Sequence, residues 1–234
     1  MSYTFFAAIS RMKYIDRWAL MRSSRKENLS EHSLEVAMIS HALCTIGNVR
    51  YGKKLDANKA AVIALYHDAS EIMTGDLPTP VKYSNSSIRD AYKDVEYSAE
   101  KSLLQKLPED LQPVYEEVLC PGKVNEHQPQ DGHPSQNEHQ SQVERGNQDE
   151  QGSKEQENEE NQYLLRLVKA ADKLSALIKC IEERQSGNQE FKSAEESTKK
   201  IIDKMADEMP EVADFVRDFL PSYGKTLDEL SDQN

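Results

Sequence analysis

Cysteine is scarce in this 234-residue chain: Cys44, Cys120 and Cys180 are odd in number and far apart. That spacing excludes a disulfide framework or a zinc knuckle and points to reduced thiols in a cytoplasmic protein. Long apolar runs are missing too. No stretch approaches the roughly 18 residues a membrane helix needs, so no membrane partner is expected. The start, MSYTFFAAISRMKYIDRW, lacks a basic segment followed by a long apolar block and a small-residue cleavage site, and no signal peptide is expected. Positive charge is in deficit, with 29 Lys and Arg against 41 Asp and Glu, a net charge of −12. A non-specific nucleic-acid binder needs clustered cations to displace counterions, so a nucleic-acid polymer is excluded as the obvious partner. A small phosphorylated substrate stays open, because a local basic pocket can coexist with an acidic surface.

The charge and the apolar residues are unevenly spread. Residues 121–162 hold ten acids and three bases, and Val124 and Val143 are their only aliphatic side chains. This stretch of Gln, Asn, Glu and Gly cannot bury enough apolar surface to offset its ordering entropy, and it reads as a disordered polar insert. His127, His133 and His139 fall inside it at six-residue spacing, which is not the i, i+4 spacing of helical metal pairs. Without the insert, the composition is near that of ordinary soluble domains. Residues 1–120 and 163–234 therefore read as one domain.

The apolar spacing is helical almost throughout. It predicts a first helix from Phe5 to near Trp18. A second is capped by Ser30 and stops at Gly47, and a third, capped by Asp56, covers Ala57 to about Ile72. The prolines in Thr74–Pro80 predict a rigid loop. Helices follow over 85–107, 111–119, 163–185, 191–209 and 211–220. No alternating strand pair appears, so the fold class is all-α. Met12, Met21, Met38 and Met73 read as core filler.

His67 and Asp68 end an otherwise apolar helix (AAVIALYHDASE). Charge is disfavoured there unless paired or bound to metal, and imidazole plus carboxylate suits a divalent ion. Glu71 lies four residues after His67 and projects from the same side, where a carboxylate can orient or deprotonate water. His32 stands in the first turn of the second helix. Asp172 stands within the most apolar late helix and needs a partner. Singly, each fits a plain role: a His–Asp hydrogen bond, a polar first-turn residue, an ion pair of Asp172 with Lys169. Together, on three helices, they offer two imidazoles and two carboxylates around one ion. His41, 2.5 turns from His32, falls on the opposite face and stays outside the site.

The sequence resembles the HD-domain metal-dependent phosphohydrolases, and more closely the bacterial HD-domain 5′-deoxynucleotidases. The residues that carry the likeness are Ser10–Lys13, Arg17-Trp18 with Leu20–Arg22, Glu27-Asn28 through Leu34, Tyr66–Glu71, Thr74–Lys82, Lys169–Asp172, Ile178–Cys180 and Glu182-Glu183. The loop TGDLPTPVK and Asp16-Arg17-Trp18 are more specific than the His-Asp pair. The likeness spans nearly the whole chain outside 121–162, where the family has a much shorter linker.

The resemblance implies a single HD-domain helical bundle that releases phosphate from 2′-deoxyribonucleoside 5′-monophosphates. It implies one divalent metal ion, such as Co or Mn, on His32, His67, Asp68 and Asp172. Three of those ligands, His32, Asp68 and Asp172, would also border the substrate. Glu71 would act on the attacking water and Arg17 on the phosphate, whose oxygens match a guanidinium fork. Trp18 would lie against sugar and base. Asp76 and Thr79 would contact the nucleoside, with Leu77 and Pro78 shaping the wall. A homodimer is implied as well. From residues alone, Arg17 also fits an ion pair with Asp16 or Glu31, Trp18 fits core, and the 74–80 loop fits a plain connector. Another HD-type activity, such as a cyclic phosphodiesterase or a nucleoside triphosphohydrolase, and a metal-bound scaffold without catalysis are the rival readings.

Overall fold

A computed structural model describes residues 2–82, 85–121 and 147–231, the side chains of 79, 80 and 147–157 excepted. Eleven α-helices are described: α1 (Phe5–Ile9), α2 (Leu29–Tyr51), α3 (Ala57–Tyr66), α4 (Glu71–Thr74), α5 (Thr79–Lys82), α6 (Ser86–Leu104), α7 (Gln112–Leu119), α8 (Asn147–Gln185), α9 (Lys192–Glu208), α10 (Pro210–Asp218) and α11 (Leu227–Ser231). Among the described residues there is no strand. One isolated antiparallel bridge joins Asp16 to Asn28.

Two apolar clusters organise the helices. The larger packs α2, α3, α8, α9 and α10 around Leu43, Ala64, Leu167, Leu174, Ile202 and Val212. Between Leu167 and Cys180, α8 is buried on nearly all sides, as its run of apolar residues predicts. The smaller gathers Phe5, Ala69, Leu103, Leu104, Leu107 and Leu119. Its rings interlock, with Phe5 edge-on to Tyr115 at 5.1 Å. Ala64 belongs to the first cluster and Ala69 to the second. His67 and Asp68 therefore sit where the chain passes between the two cores.

Several boundaries differ from the sequence expectation, each for a physical reason. The first helix tightens into a 3₁₀ turn over Ser10–Tyr14 and ends in extended Ile15, so Trp18 lies beyond it. The second is capped by Asn28, whose side chain accepts from the Ser30 and Glu31 amides while Glu31 answers the Asn28 amide. It runs through Gly47 and ends at Gly52, which supplies the left-handed φ of 65°. The third stops at Tyr66, and the chain to Met73 continues through i→i+3 bonds such as Ala69 N–H to Tyr66 O at 2.9 Å. The expected loop is shorter, because α5 starts at Thr79 with Pro80 in its first turn, where the missing N–H costs nothing.

The late helix α8 begins at Asn147 instead of near Tyr163. Residues 147–162, placed in the insert on composition, are rich in Glu and Gln, which have good helix propensity. Extending an already packed helix avoids a new nucleus. The rest of the insert, 122–146, and with it His127, His133 and His139, lies outside the described residues. Among the methionines read as filler, Met12 is buried, whereas Met38 and Met73 are exposed.

Candidate metal centre

The bridge between Asp16 and Asn28 positions the first side chains of the candidate site. Arg17 N–H donates to Glu27 O at 2.8 Å and Leu29 N–H to Ile15 O at 3.0 Å. This closes residues 18–26 into a loop beside the start of α2. Arg17 pairs through Nη1 with Glu27 Oε1 at 2.7 Å, not with Asp16 or Glu31. The loop is strapped to the far end of α8. Glu183 accepts from Ser24 N–H at 2.8 Å, Lys179 Nζ donates to Arg25 O at 2.6 Å, and Asn188 Nδ2 donates to Arg22 O at 2.6 Å.

His32 is buried in the first turn of α2, with 1% of its surface exposed. His67 follows α3 directly, and its Nδ1 donates to Ala64 O at 2.7 Å. A carbonyl only accepts, so the neutral ring carries its lone pair on Nε2. His32, His67 and Asp68 each offer one ligand atom, and these lie within 4.8 Å of one another. Asp172 reaches the same point from α8. His32 Nε2 is 3.2 Å from Asp172 Oδ1 and 3.5 Å from Asp68 Oδ2, and His67 Nε2 is 3.1 Å from Asp68 Oδ2. Asp172 also accepts from Lys173 at 2.9 Å, the neighbouring lysine instead of Lys169.

Neither imidazole Nε2 completes a hydrogen bond, nor does Glu71 Oε2, Arg17 Nε or Trp18 Nε1. Buried polar atoms without partners are costly and rare. Two lone-pair nitrogens and two carboxylates facing one point suit a divalent ion of the first transition row. The donor set therefore fits a metal.

The charges in the site are strongly coupled. Burial and the Arg17 charge hold the His32 pKa below its usual value, so this ring is neutral and free to ligate. Burial opposes a charge on His67, yet the Asp68 carboxylate outweighs it and pushes the pKa up to about 9, so a metal ion would take the Nε2 lone pair by displacing a proton from it. Asp68 stays ionised well below the usual range: burial opposes this, and His67 reverses it. Asp172 also stays ionised against burial, under the pull of His32 and Lys173. Glu71, the first residue of α4 and 7% exposed, is pushed up to about 9 by burial and then by Asp68 and Asp76, with Lys82 and Arg17 opposing. A cation among these carboxylates relieves that repulsion.

Trp18 takes a left-handed backbone, φ 58°. Its N–H donates to Asp76 Oδ2 at 3.0 Å. Its ring stands edge-on to Phe191 at 5.3 Å, with the Arg17 guanidinium 5.7 Å from its centroid. Asp76, Leu77 and Pro78 form the half-buried connection between α4 and α5. The Thr79 side chain lies outside the described residues. His41 is exposed beside Thr45, away from the cluster.

Known proteins match this chain along nearly its whole length. A family model described as "5′-deoxynucleotidase YfbR-like" matches residues 4–132 and 143–223. The chain belongs to the YfbR-like 5′-deoxynucleotidase family. A 5′-deoxynucleotidase from an Enterobacter species is 40% identical over 227 residues, covering 97% of this chain and 95% of the relative. One from Erwinia tasmaniensis is 38% identical over 230 residues, covering 98% and 97%. Among solved structures, an HD-domain phosphohydrolase from Listeria innocua aligns with a TM-score of 0.68 at 23% identity, over 98% of this chain and 90% of the other. That likeness supports the all-α HD-domain fold. The YfbR-like assignment agrees with the sequence resemblance drawn from the Arg17-Trp18, His67-Asp68 and 74–82 motifs.

Three partners of the site carried no role in the sequence reading: Glu27, Ser175 and Glu35. Glu27 holds Arg17 and lies 3.5 Å from His32 Nδ1. Ser175 lies 3.0 Å from the same nitrogen and donates to Glu35 Oε2 at 2.6 Å. Helical spacing was the available signal. Glu35 follows His32 by three residues and Ser175 follows Asp172 by three, which places each pair on one helix face.

Proposed function

We propose that the protein is a metal-dependent 5′-deoxynucleotidase, which hydrolyses 2′-deoxyribonucleoside 5′-monophosphates to deoxynucleoside and phosphate. The observation that carries this reading is the set of unpartnered buried atoms on His32, His67, Glu71, Arg17 and Trp18. The family's name supplies the reaction they would serve. His32, His67, Asp68 and Asp172 hold one divalent ion, Co, Mn or a similar transition metal. Such an ion, when bound, polarises a phosphoryl group and lowers the pKa of water.

The remaining work falls to the chain's own side chains. Glu71, ionised where a cation offsets the Asp68 and Asp76 charges, orients the attacking water and takes its proton. Arg17, fixed by Glu27, binds the phosphate and offsets the charge that develops on it. Trp18 lies against the sugar, and close packing at the 2′ position favours a deoxyribose. Asp76 and Thr79 contact the nucleoside between Leu77 and Pro78, while His32, Asp68 and Asp172 border the phosphate. The same reading carries a cytoplasmic homodimer. No described helix is long and apolar enough to cross a membrane.

The test is phosphate release from a panel of nucleoside mono-, di- and triphosphates and cyclic nucleotides. Each is assayed after chelation and with Mn, Co, Zn or Mg restored. Hydrolysis confined to 2′-deoxyribonucleoside monophosphates and dependent on added metal is expected. Preference for triphosphates or cyclic substrates, or metal-independent release, overturns the reading.

A further inference from the structure

A metal takes the lone pair of an imidazole nitrogen, so the other nitrogen must carry the proton. For His67 the Ala64 carbonyl settles this. For His32, no backbone carbonyl among the described residues hydrogen-bonds Nδ1. Nδ1 instead meets Ser175 Oγ at 3.0 Å. That hydroxyl has one hydrogen, and it goes to Glu35 Oε2 at 2.6 Å. Having spent its hydrogen, Oγ can only accept from His32. The other group near Nδ1, Glu27 Oε1 at 3.5 Å, is also an acceptor and is engaged by Arg17 at 2.7 Å. Every neighbour of Nδ1 named here therefore favours a proton on it; Nε2, 3.2 Å from Asp172 Oδ1 and 3.5 Å from Asp68 Oδ2, is then the nitrogen left to ligate once a cation sits among those carboxylates.

We propose that Ser175, oriented by Glu35, is a positioning residue that fixes His32 as the Nδ1-protonated tautomer and so keeps its Nε2 lone pair aimed at the metal site. This rests on the metal-dependent reading above. Carboxylate, hydroxyl and imidazole form a relay from α2 to α8 and back. Ser175 is fully buried, so bulk water does not reach its hydroxyl. Glu35 lines a groove of about 230 Å³ with Glu31, Leu34, Met38 and Glu182, so the outer end of the relay borders solvent.

The test begins without metal. In chelated protein, ¹⁵N–¹H correlation of the histidine rings reports the His32 tautomer. Wild type should show a proton on Nδ1, whether or not Nε2 also carries one toward Asp68 and Asp172. Ser175→Ala should show a mixed population, and Glu35→Ala a smaller change in the same direction. Calorimetric titration with Mn²⁺ or Co²⁺ should show about tenfold weaker binding in Ser175→Ala, a usual cost of removing the partner of a metal-binding histidine. Alanine is a better helix former than serine, so the variant should fold, and its melting curve checks this. A wild-type His32 protonated on Nε2 and not on Nδ1 overturns the proposal. So do an unchanged tautomer and an unchanged metal affinity in folded Ser175→Ala. Wild-type protein that binds metal with the expected tautomer but releases no phosphate from deoxynucleotides sinks the proposed function alone and leaves this assignment standing.

Discussion

The main-chain amide of Trp18 donates to the Asp76 carboxylate at 3.0 Å, joining a loop at the start of the chain to the turn after α4. Trp18 needs this anchor. Its φ of 58° is the only positive value among the described non-glycine residues, and such a backbone costs roughly 1–2 kcal/mol. Asp76 fixes the main chain of Trp18 on one side, and Phe191 meets its indole on the other. Asp76→Ala should release it, lowering kcat/KM for dAMP about tenfold and narrowing the preference for dAMP over AMP. Asp76→Asn keeps an acceptor and should retain most of both. Parallel kinetics of the two variants and Trp18→Ala check this. An unchanged dAMP to AMP ratio in Asp76→Ala and Trp18→Ala would remove both residues from sugar selection.

Glu71 is buried among like charges and makes no hydrogen bond through Oε2. A carboxyl in that position is poorly placed for structure and well placed to handle a proton. Glu71→Gln preserves shape and removes the proposed base. It should lower kcat by two orders of magnitude or more, within the range of general acid–base contributions. Metal affinity should stay within a few-fold, since Glu71 is not a ligand in this reading. Single-turnover hydrolysis together with metal titration separates the two effects. Near-normal turnover with metal bound would take Glu71 out of the reaction.

Much of the fold was legible because helical periodicity is local. The late helix around Leu167 and Leu174, the cap on α3 and the all-α class all follow from residues within a few turns of each other. What escaped was set at longer range. Gly47 reads as a stop, yet α2 continues through it because α10 packs there. Asn147 starts α8, although nothing apolar marks the position. Within the site, His32, His67, Asp68 and Asp172 could be picked out because each places charge or imidazole where apolar residues were due. Ser175 and Glu27 carry no such contrast. Their roles depend on which groups lie opposite, 143 residues away for Ser175 and His32, and sequence spacing holds no record of that.

Glu183 offers a pH-dependent check on the loop that carries Arg17 and Trp18. It is 1% exposed. Burial alone would raise its pKa, but Lys179, the Ser24 amide and Asn188 all donate to it and bring the value down to about 2. A carboxyl depressed in the folded state contributes stability that is present above its unfolded pKa, near 4.3, and is lost as the pH falls toward 2. Glu183→Gln should therefore destabilise the protein at pH 7 by about 3 kcal/mol, the scale for breaking one side of a buried ion pair. Between pH 4.5 and 2 the difference from wild type should shrink. Urea unfolding across that range tests it. A constant difference would assign the loss to packing instead of charge.

Gly47 tests whether α10 dictates the path of α2. A Cβ added there would meet Glu211 Oε1 at 2.8 Å, with Glu211 Cγ and Leu55 Cδ1 at 3.1 Å. Glu211 cannot swing away freely, because it is fully buried and tied to Lys53 and to Tyr163. In an open helix, Gly→Ala gains about 1 kcal/mol from propensity. Here overpacking of about 1–3 kcal/mol opposes that gain. Gly47→Ala should therefore lower the urea midpoint without changing the slope. Pairing it with Glu211→Ala should recover the propensity gain relative to Glu211→Ala alone, since the clashing carboxylate is gone. If Gly47→Ala stabilises the otherwise unaltered protein, α10 does not crowd α2 at this point, and the glycine is tolerated there without being required.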